Sequence, residues 1–394
     1  MRILTRHVLA ELLKVFLVTL AALTALIFVG LIGKEAVRKG LGLGPLVRMV
    51  PYMLPQAMQF AVPGTMLLAT TSVYGRMSSS NEVVAIKSMG VSPWVLIWPT
   101  LALGTLVSFG AVLLNDVAVS WGRMGVQRVF VESIEEIALS QLRLHGSYSI
   151  DGLQISVRRV EENRLIQPTI TWHPNKDEKP TTATGGWAVI EPVSADHKLV
   201  VVFHGLEGEW EGHHGVIPDS IRREFDLNLL MGDPSEDRSA SNHALAEIGR
   251  ATDTEHERLA LLERERTAEA ARALLSGDFE RLSSEAWTPF DAQAGRAQYT
   301  LRRLAVEPYR RWASGFSCLC FVMVGAPLAI LRQKGEFLAS FFLCFLPILL
   351  VYYPLLMASV DQAKGGDMPP VVVWSGNAVL AVWGLWMMRR VAQH

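Results

Sequence analysis

Two groups of residues have types and spacing suited to chemistry. The first lies in residues 74–93, which read YGRMSSSNEVVAIKSMGVSP. A Gly75-Arg76 exit leads into a Ser/Asn cluster at 78–81 able to cap a helix start, an apolar pair spaced for one helical face follows (Val83, Ile86), and Gly90 and Pro93 stop it. A short amphipathic helix of this kind is shaped to dock into a groove on a water-soluble partner. The plainer reading is a polar turn between two apolar segments.

The second group is Lys34, Arg38 and Lys39. Lys34 and Arg38 are four apart, so a continuing helix places them on one face. There they could pair with the phosphate groups of a lipid through charge-assisted hydrogen bonds. The alternative is interfacial anchoring by snorkelling side chains. These charges lie on the side that the positive-inside rule leaves poor in Lys and Arg, which favours a binding role.

Catalytic motifs are missing from the sequence. Residues 30–34 read GLIGK, which lacks the spacing and the Ser/Thr of a nucleotide-binding P-loop. There is no H-E-x-x-H, no G-x-S-x-G and no Cys/His set at metal spacing, and His213-His214 before Gly215 reads as a turn. The chain is expected to be no enzyme and to need no cofactor or metal.

The elements that must position these groups are mostly apolar. Of 394 residues 50% are hydrophobic and only 19% charged, with a net charge of -1, the profile of a polytopic membrane protein with a soluble portion. That balance excludes a nucleic-acid binder. Cys318, Cys320 and Cys344 all fall in apolar segments and read as small core residues. Six segments, 12–32, 46–73, 95–119, 312–331, 337–360 and 371–388, are each long and apolar enough to span. The first is about 31 Å long as a helix and lacks a following A-x-A cleavage site, so it reads as a retained span. The second carries Pro51, Pro55 and Pro63, tolerated where neighbouring helices satisfy the freed backbone groups. The Lys/Arg balance of the short loops favours an N-terminus inside the cell.

Between the two sets of three spans the patterning changes. Leu153, Ile155 and Val157 alternate with polar residues, residues 199–203 form a β-rich run ending at Gly205, and 169–172 and 187–190 add short strands. This predicts a small antiparallel sandwich or jelly roll. Residues 253–275 read as a solvated helical insert, with Glu255/Arg258, Glu263/Arg266 and Glu269/Arg272 at pairing distance. The expected organisation is thus an α-helical polytopic membrane protein with six transmembrane helices and an inserted all-β domain. Residues 1–121 hold three spans with a short helix near 76–92, 122–305 the β-rich domain with its insert, and 306–394 three more spans.

Three stretches together resemble the lipopolysaccharide-export permease family, LptF/LptG: the loop at 74–93, RRWASGFSCLCFVMVGAPLAILRQKG at 310–335, and MPPVVVWSGNAVLAVWGLWMMRR at 368–390. The resemblance covers both membrane halves in order, and the β-rich region falls where the family has its periplasmic jelly roll. It implies an inner-membrane permease subunit of an ABC transporter that extracts lipopolysaccharide and passes it toward a periplasmic bridge protein. The implied partners are a paralogous permease and a separate cytoplasmic ATPase dimer. Arg76, Glu82, Lys87 and Gly90 match the family's coupling helix, Glu82 being the acidic residue that faces the ATPase, and Lys34 and Arg38 fall near the basic end of the first span that faces the lipid phosphates. Pro327 matches the proline of the fourth span's G-x-P-L stretch. The helical insert departs from a minimal family member. An opposing reading is a membrane transmitter that couples an ATPase to an extracytoplasmic interaction domain without moving a substrate.

Overall fold

The computed structural model describes residues 2–39, 42–133, 139, 141–143, 146–150, 153–161, 164–172, 181–191, 198–210, 213–217, 220–226, 240–277, 284–332 and 337–393. The chain forms two compact units: one of residues 1–28, 54–121 and 239–394, the other of 29–53 and 122–238.

The first unit is helical, because a long apolar segment can satisfy its backbone polar groups in lipid only within itself. Helix α1 (Arg2–Lys39) and α2 (Leu43–Ser79) are followed by the short α3 (Glu82–Ser88) and by α4 (Pro93–Val117). A π-helical turn (Ala118–Arg123) leads to α5 (Met124–Glu132), which belongs to the second unit, as do residues 29–39 of α1 and 43–53 of α2. After the sheet come α6 (Ile248–Ser276), α7 (Ser284–Leu331), α8 (Phe337–Pro347), a second π-helical turn (Ile348–Tyr352), α9 (Tyr353–Gly365) and α10 (Ser375–Gln393). Among the described residues five helical stretches are long and apolar enough to cross a membrane: Ile3–Val37, Pro93–Phe130, Phe290–Leu331, Phe341–Gly365 and Pro370–Val391.

The expected second span, 46–73, is helical within α2 and continuous through all three prolines, but it is not one of the five. Gln56, Gln59, Thr65, Thr70 and Thr71 dilute its apolar content. Three of these hydroxyls bond back to their own helix: Thr65 to the Val62 carbonyl, Thr70 to Met66 and Thr71 to Leu67. Their polarity is satisfied inside the helix, which is how such residues are tolerated among packed helices.

The helical core joins Val8, Leu12 and Phe16 of α1 to Met66 and Val73 of α2, Leu96 and Leu103 of α4, Val322 and Ala326 of α7, and Met388 of α10. Small residues bring α4 and α7 close. A methyl added at Gly315 would stand 2.3 Å from Val112 and 3.1 Å from the Ser108 carbonyl, and one at Gly104 3.3 Å from Val322. Between them the Leu319 N–H donates to Ser108 Oγ at 3.1 Å.

Helix α6 is mostly exposed and covers the expected insert, starting five residues before it and ending one residue after it. Glu255 pairs with Arg258 at 4.0 Å and Glu269 with Arg272 at 3.5 Å, whereas Arg266 turns from Glu263 to Asp291 of α7, at 3.0 Å. The insert clusters with the helical unit.

Among the described residues the second unit holds nine antiparallel strands: β1 (Ser147–Ile150), β2 (Leu153–Ser156), β3 (Arg159–Glu161), β4 (Arg164–Ile166), β5 (Thr169–Trp172), β6 (Thr181–Glu191), β7 (Lys198–Trp210), β8 (His213–Ile217) and β9 (Ile221–Asp226). The two longest, β6 and β7, form the spine. β5 and β4 divide the outer edge of β6, and β8 and β9 divide that of β7. Leu165, Ala188 and Phe203 are register partners and all buried, one apolar face as alternation requires. On the opposite face Trp187 stacks on His204, centroids 3.7 Å apart, with the Arg164 guanidinium 5.1 Å from the indole. β7 runs on past Gly205, whose φ of +65° a side chain would resist.

Candidate functional site

The expected amphipathic helix exists as α3, seven residues long, with Val83 and Ile86 buried and Val84, Ala85 and Ser88 exposed. Its start differs from expectation. Asn81 adopts left-handed φ of 60° and gives no side-chain cap. The serines bond elsewhere because α2 continues to Ser79: Ser79 and Ser80 donate to the Arg76 carbonyl at 2.9 Å, and Ser78 reaches across to the Ile330 carbonyl of α7, also at 2.9 Å.

The end of α3 is a Schellman motif. Gly90, at φ +75°, donates its N–H to the Lys87 carbonyl at 2.9 Å, and the Val91 N–H reaches the Ile86 carbonyl at 3.3 Å. Gly90 therefore has a conformational role, since only glycine takes this backbone without strain.

Further contacts seat α3 and the end of α2 before it. Buried Tyr74, just before the loop, donates to the Leu96 carbonyl at 2.7 Å and also bonds Thr100, tying α2 to α4. Lys87 Nζ donates to the Val391 carbonyl at 3.2 Å, tying α3 to α10. Arg76 is exposed and forms an ion pair with Glu11 of α1. Glu82, half-buried, accepts from Ser80 Oγ at 2.9 Å. The fold thus gathers Arg76, Glu82, Lys87 and Gly90 around one short helix braced by α1, α4, α7 and α10. Pro327, expected in the fourth span, is buried in α7.

Lys34 is exposed on α1, and the helix continues through position 38, so the four-residue spacing does place Lys34 and Arg38 on one helical face. The Arg38 and Lys39 side chains lie outside the described residues.

One constellation escaped the sequence reading. Arg311 of α7 is fully buried and donates from Nε to Glu307 Oε1 at 3.0 Å and from Nη1 to Asp116 Oδ1 of α4 at 2.9 Å. Its Nη2 donates to the carbonyls of His243 at 2.6 Å and Ser241 at 3.4 Å. Glu307 is also buried and paired with Arg310 at 2.5 Å. The sequence held two clues: Asp116 is an acidic residue inside an apolar segment, and Glu307 precedes Arg310 and Arg311 at helical pairing distances.

Apolar helices of spanning length, enclosing a buried ion network and interrupted by a separate antiparallel β unit, define a polytopic membrane protein with an inserted domain. The family model of the lipopolysaccharide export system permease LptF/LptG matches residues 6–390, and the chain belongs to that family. It is a component of lipopolysaccharide transport. A search of curated proteins finds no match.

Proposed function

We propose that the chain is one permease subunit of an ABC transporter that extracts lipopolysaccharide from the inner membrane and passes it to a periplasmic bridge protein. The membership of the chain in the LptF/LptG family supports this, and so does the build of α3: a buried Val83/Ile86 face, a glycine-set end and an opposite face left exposed. In this reading α3 is the coupling helix, and Arg76, Glu82, Lys87 and Gly90 form or shape the contact with one subunit of a separate ATPase dimer. A paralogous permease completes the membrane portion. Helix α2 is the sixth span, its threonine hydroxyls satisfied along its own backbone. The nine-strand unit is a periplasmic jelly roll whose apolar face receives acyl chains, and Lys34 and Arg38 hold lipid phosphates at the outer surface.

The test is affinity purification of the tagged chain from its own cells, followed by reconstitution into proteoliposomes. An ATPase and a second permease should copurify, and ATP should drive release of lipopolysaccharide to an added soluble acceptor. A complex that hydrolyses ATP while releasing no lipid would instead support the transmitter reading.

A further inference from the structure

We propose that Arg311 is a positioning residue: with Asp116 and Glu307 it anchors residues 241–245 to the paired helices α4 and α7, and this anchor is what lets ATP hydrolysis be converted into lipid delivery. The inference rests on the transporter reading above and assigns it a transmission point.

The geometry has three parts. Arg311 is a hub that no other residue type could replace, since a guanidinium presents five donors in a rigid fork and here addresses a carboxylate on its own helix, a carboxylate on α4 and two backbone carbonyls. Asp116 closes the loop from the other side, because its Oδ1 also accepts the Leu245 N–H at 2.7 Å. Apolar contacts then seat the same segment: Ala240, Ile248 and Leu304 form a buried cluster with Leu245 and Ala251 packed against it.

The helices it anchors to are themselves held as a pair, by the close approach at Gly104 and Gly315 and the Ser108 to Leu319 hydrogen bond. At its far end α7 accepts the hydrogen bond of Ser78, two residues beyond Arg76 and just before α3. A continuous set of packed and hydrogen-bonded contacts therefore runs from the neighbourhood of α3 along α4 and α7 to residues 241–245. Asp116 also lies two residues before the π-helical turn at Ala118–Arg123, an irregularity often found where a helix has a functional task.

A network that only helps the protein fold would, when weakened, lower assembly, ATP hydrolysis and transport together. A transmission anchor would leave the first two and lower the lipid delivered per ATP. Three variants weaken it differently. Arg311→Lys keeps the charge but cannot reach four acceptors, and Asp116→Asn removes the charge while keeping an acceptor oxygen for Leu245. Leu245→Pro deletes the N–H donor to Asp116 and also the side chain packed against Ala240, Ile248 and Leu304, so it weakens both parts of the anchor. Ala244 and Glu247 close a turn through the Glu247 N–H to the Ala244 carbonyl, 2.9 Å, so position 245 lies at the first residue of the turn, where proline fits.

The experiment measures lipopolysaccharide released per ATP hydrolysed by the reconstituted complex. It also measures the distance between spin labels at Leu113 and Ala246, both exposed, with and without vanadate trapping. Assembled variants should hydrolyse ATP within about twofold of wild type, deliver at least tenfold less lipid per ATP, and show a broadened label distance where wild type shows one narrow distance in both states. An unchanged delivery ratio with a narrow distance in the variants, or parallel loss of assembly and hydrolysis in all three, overturns the anchor. A wild-type complex with no ATP-driven release overturns the transporter reading, and the label distances then still decide whether residues 241–245 are held to α4.

Discussion

The Ser78 hydroxyl donates to the Ile330 carbonyl at 2.9 Å, joining the end of α2 to the last turn of α7. The last carbonyls of a helix lack partners within it, and at a buried helix end a side chain must supply the donor. Ser78 is 2% exposed, so nothing from solvent replaces it. Ser78→Ala should therefore cost about 1–2 kcal/mol, the penalty of an unsatisfied buried acceptor. The check is the thermal unfolding midpoint of the purified complex in detergent. A midpoint equal to wild type would mean that α7 ends without needing this bond.

Gly90→Ala should weaken the end of α3 without disturbing its surroundings. No atom lies within 4 Å of an added Cβ there, so the cost is conformational alone, about 1–2 kcal/mol for a left-handed non-glycine residue. Faster amide exchange at Gly90 and Val91, whose N–H groups close the motif, is the expected readout. Gly75→Ala is the control, since it also has open space and lies within α2, at an ordinary backbone conformation; exchange at Gly90 should be unaffected by it.

If α3 is the coupling helix, as proposed, Glu82→Arg should break its contact with the ATPase. Glu82 is held only by Ser80 among the contacts described for it, so its reversal leaves the permease fold intact and changes the charge that α3 presents. Like charges across a desolvated contact cost several kcal/mol. The expected result is loss of the copurifying ATPase, or an assembled complex whose hydrolysis no longer responds to lipid. Normal assembly, hydrolysis and transport in this variant would remove Glu82 from the interface.

Much of this fold was legible because its dominant signals are local. Apolar runs above spanning length announce helices, and Val83/Ile86 spacing announces a buried face on α3. Alternation at 153–157 and the β-rich run at 199–203 gave β2 and β7. What failed to show depends on tertiary partners. Ser78 has the composition of a cap, yet its hydroxyl is taken by Ile330, far along the chain. Arg266 has Glu263 within its own helix, yet turns to Asp291. The Arg311 hub was the least visible, because two of its four acceptors are backbone carbonyls, which every residue carries and no pattern marks. The grouping of α6 with the helical unit was equally invisible, because α6 has a solvated sequence and only its packing on α7 reveals it.

The basic face at Lys34 and Arg38 is expected to recognise anionic headgroups. The two positions are one helical turn apart on α1, and Lys34 is exposed, so they can straddle a phosphorylated sugar that a lone anchoring residue could not hold. An interfacial basic residue near anionic lipid contributes only about 1 kcal/mol, and exposed pairs are weak, so a single substitution could pass unnoticed. The informative variant is the double change Lys34→Glu with Arg38→Glu, which turns two attractions into two repulsions. In proteoliposomes it should lose lipopolysaccharide-stimulated ATP hydrolysis while keeping the basal rate, and added salt should weaken the wild-type stimulation in the same direction, as screening requires. Snorkelling anchors predict a different outcome, in which charge matters for insertion and for nothing afterwards. Wild-type lipid extraction by a double variant shown to be correctly inserted would eliminate the site.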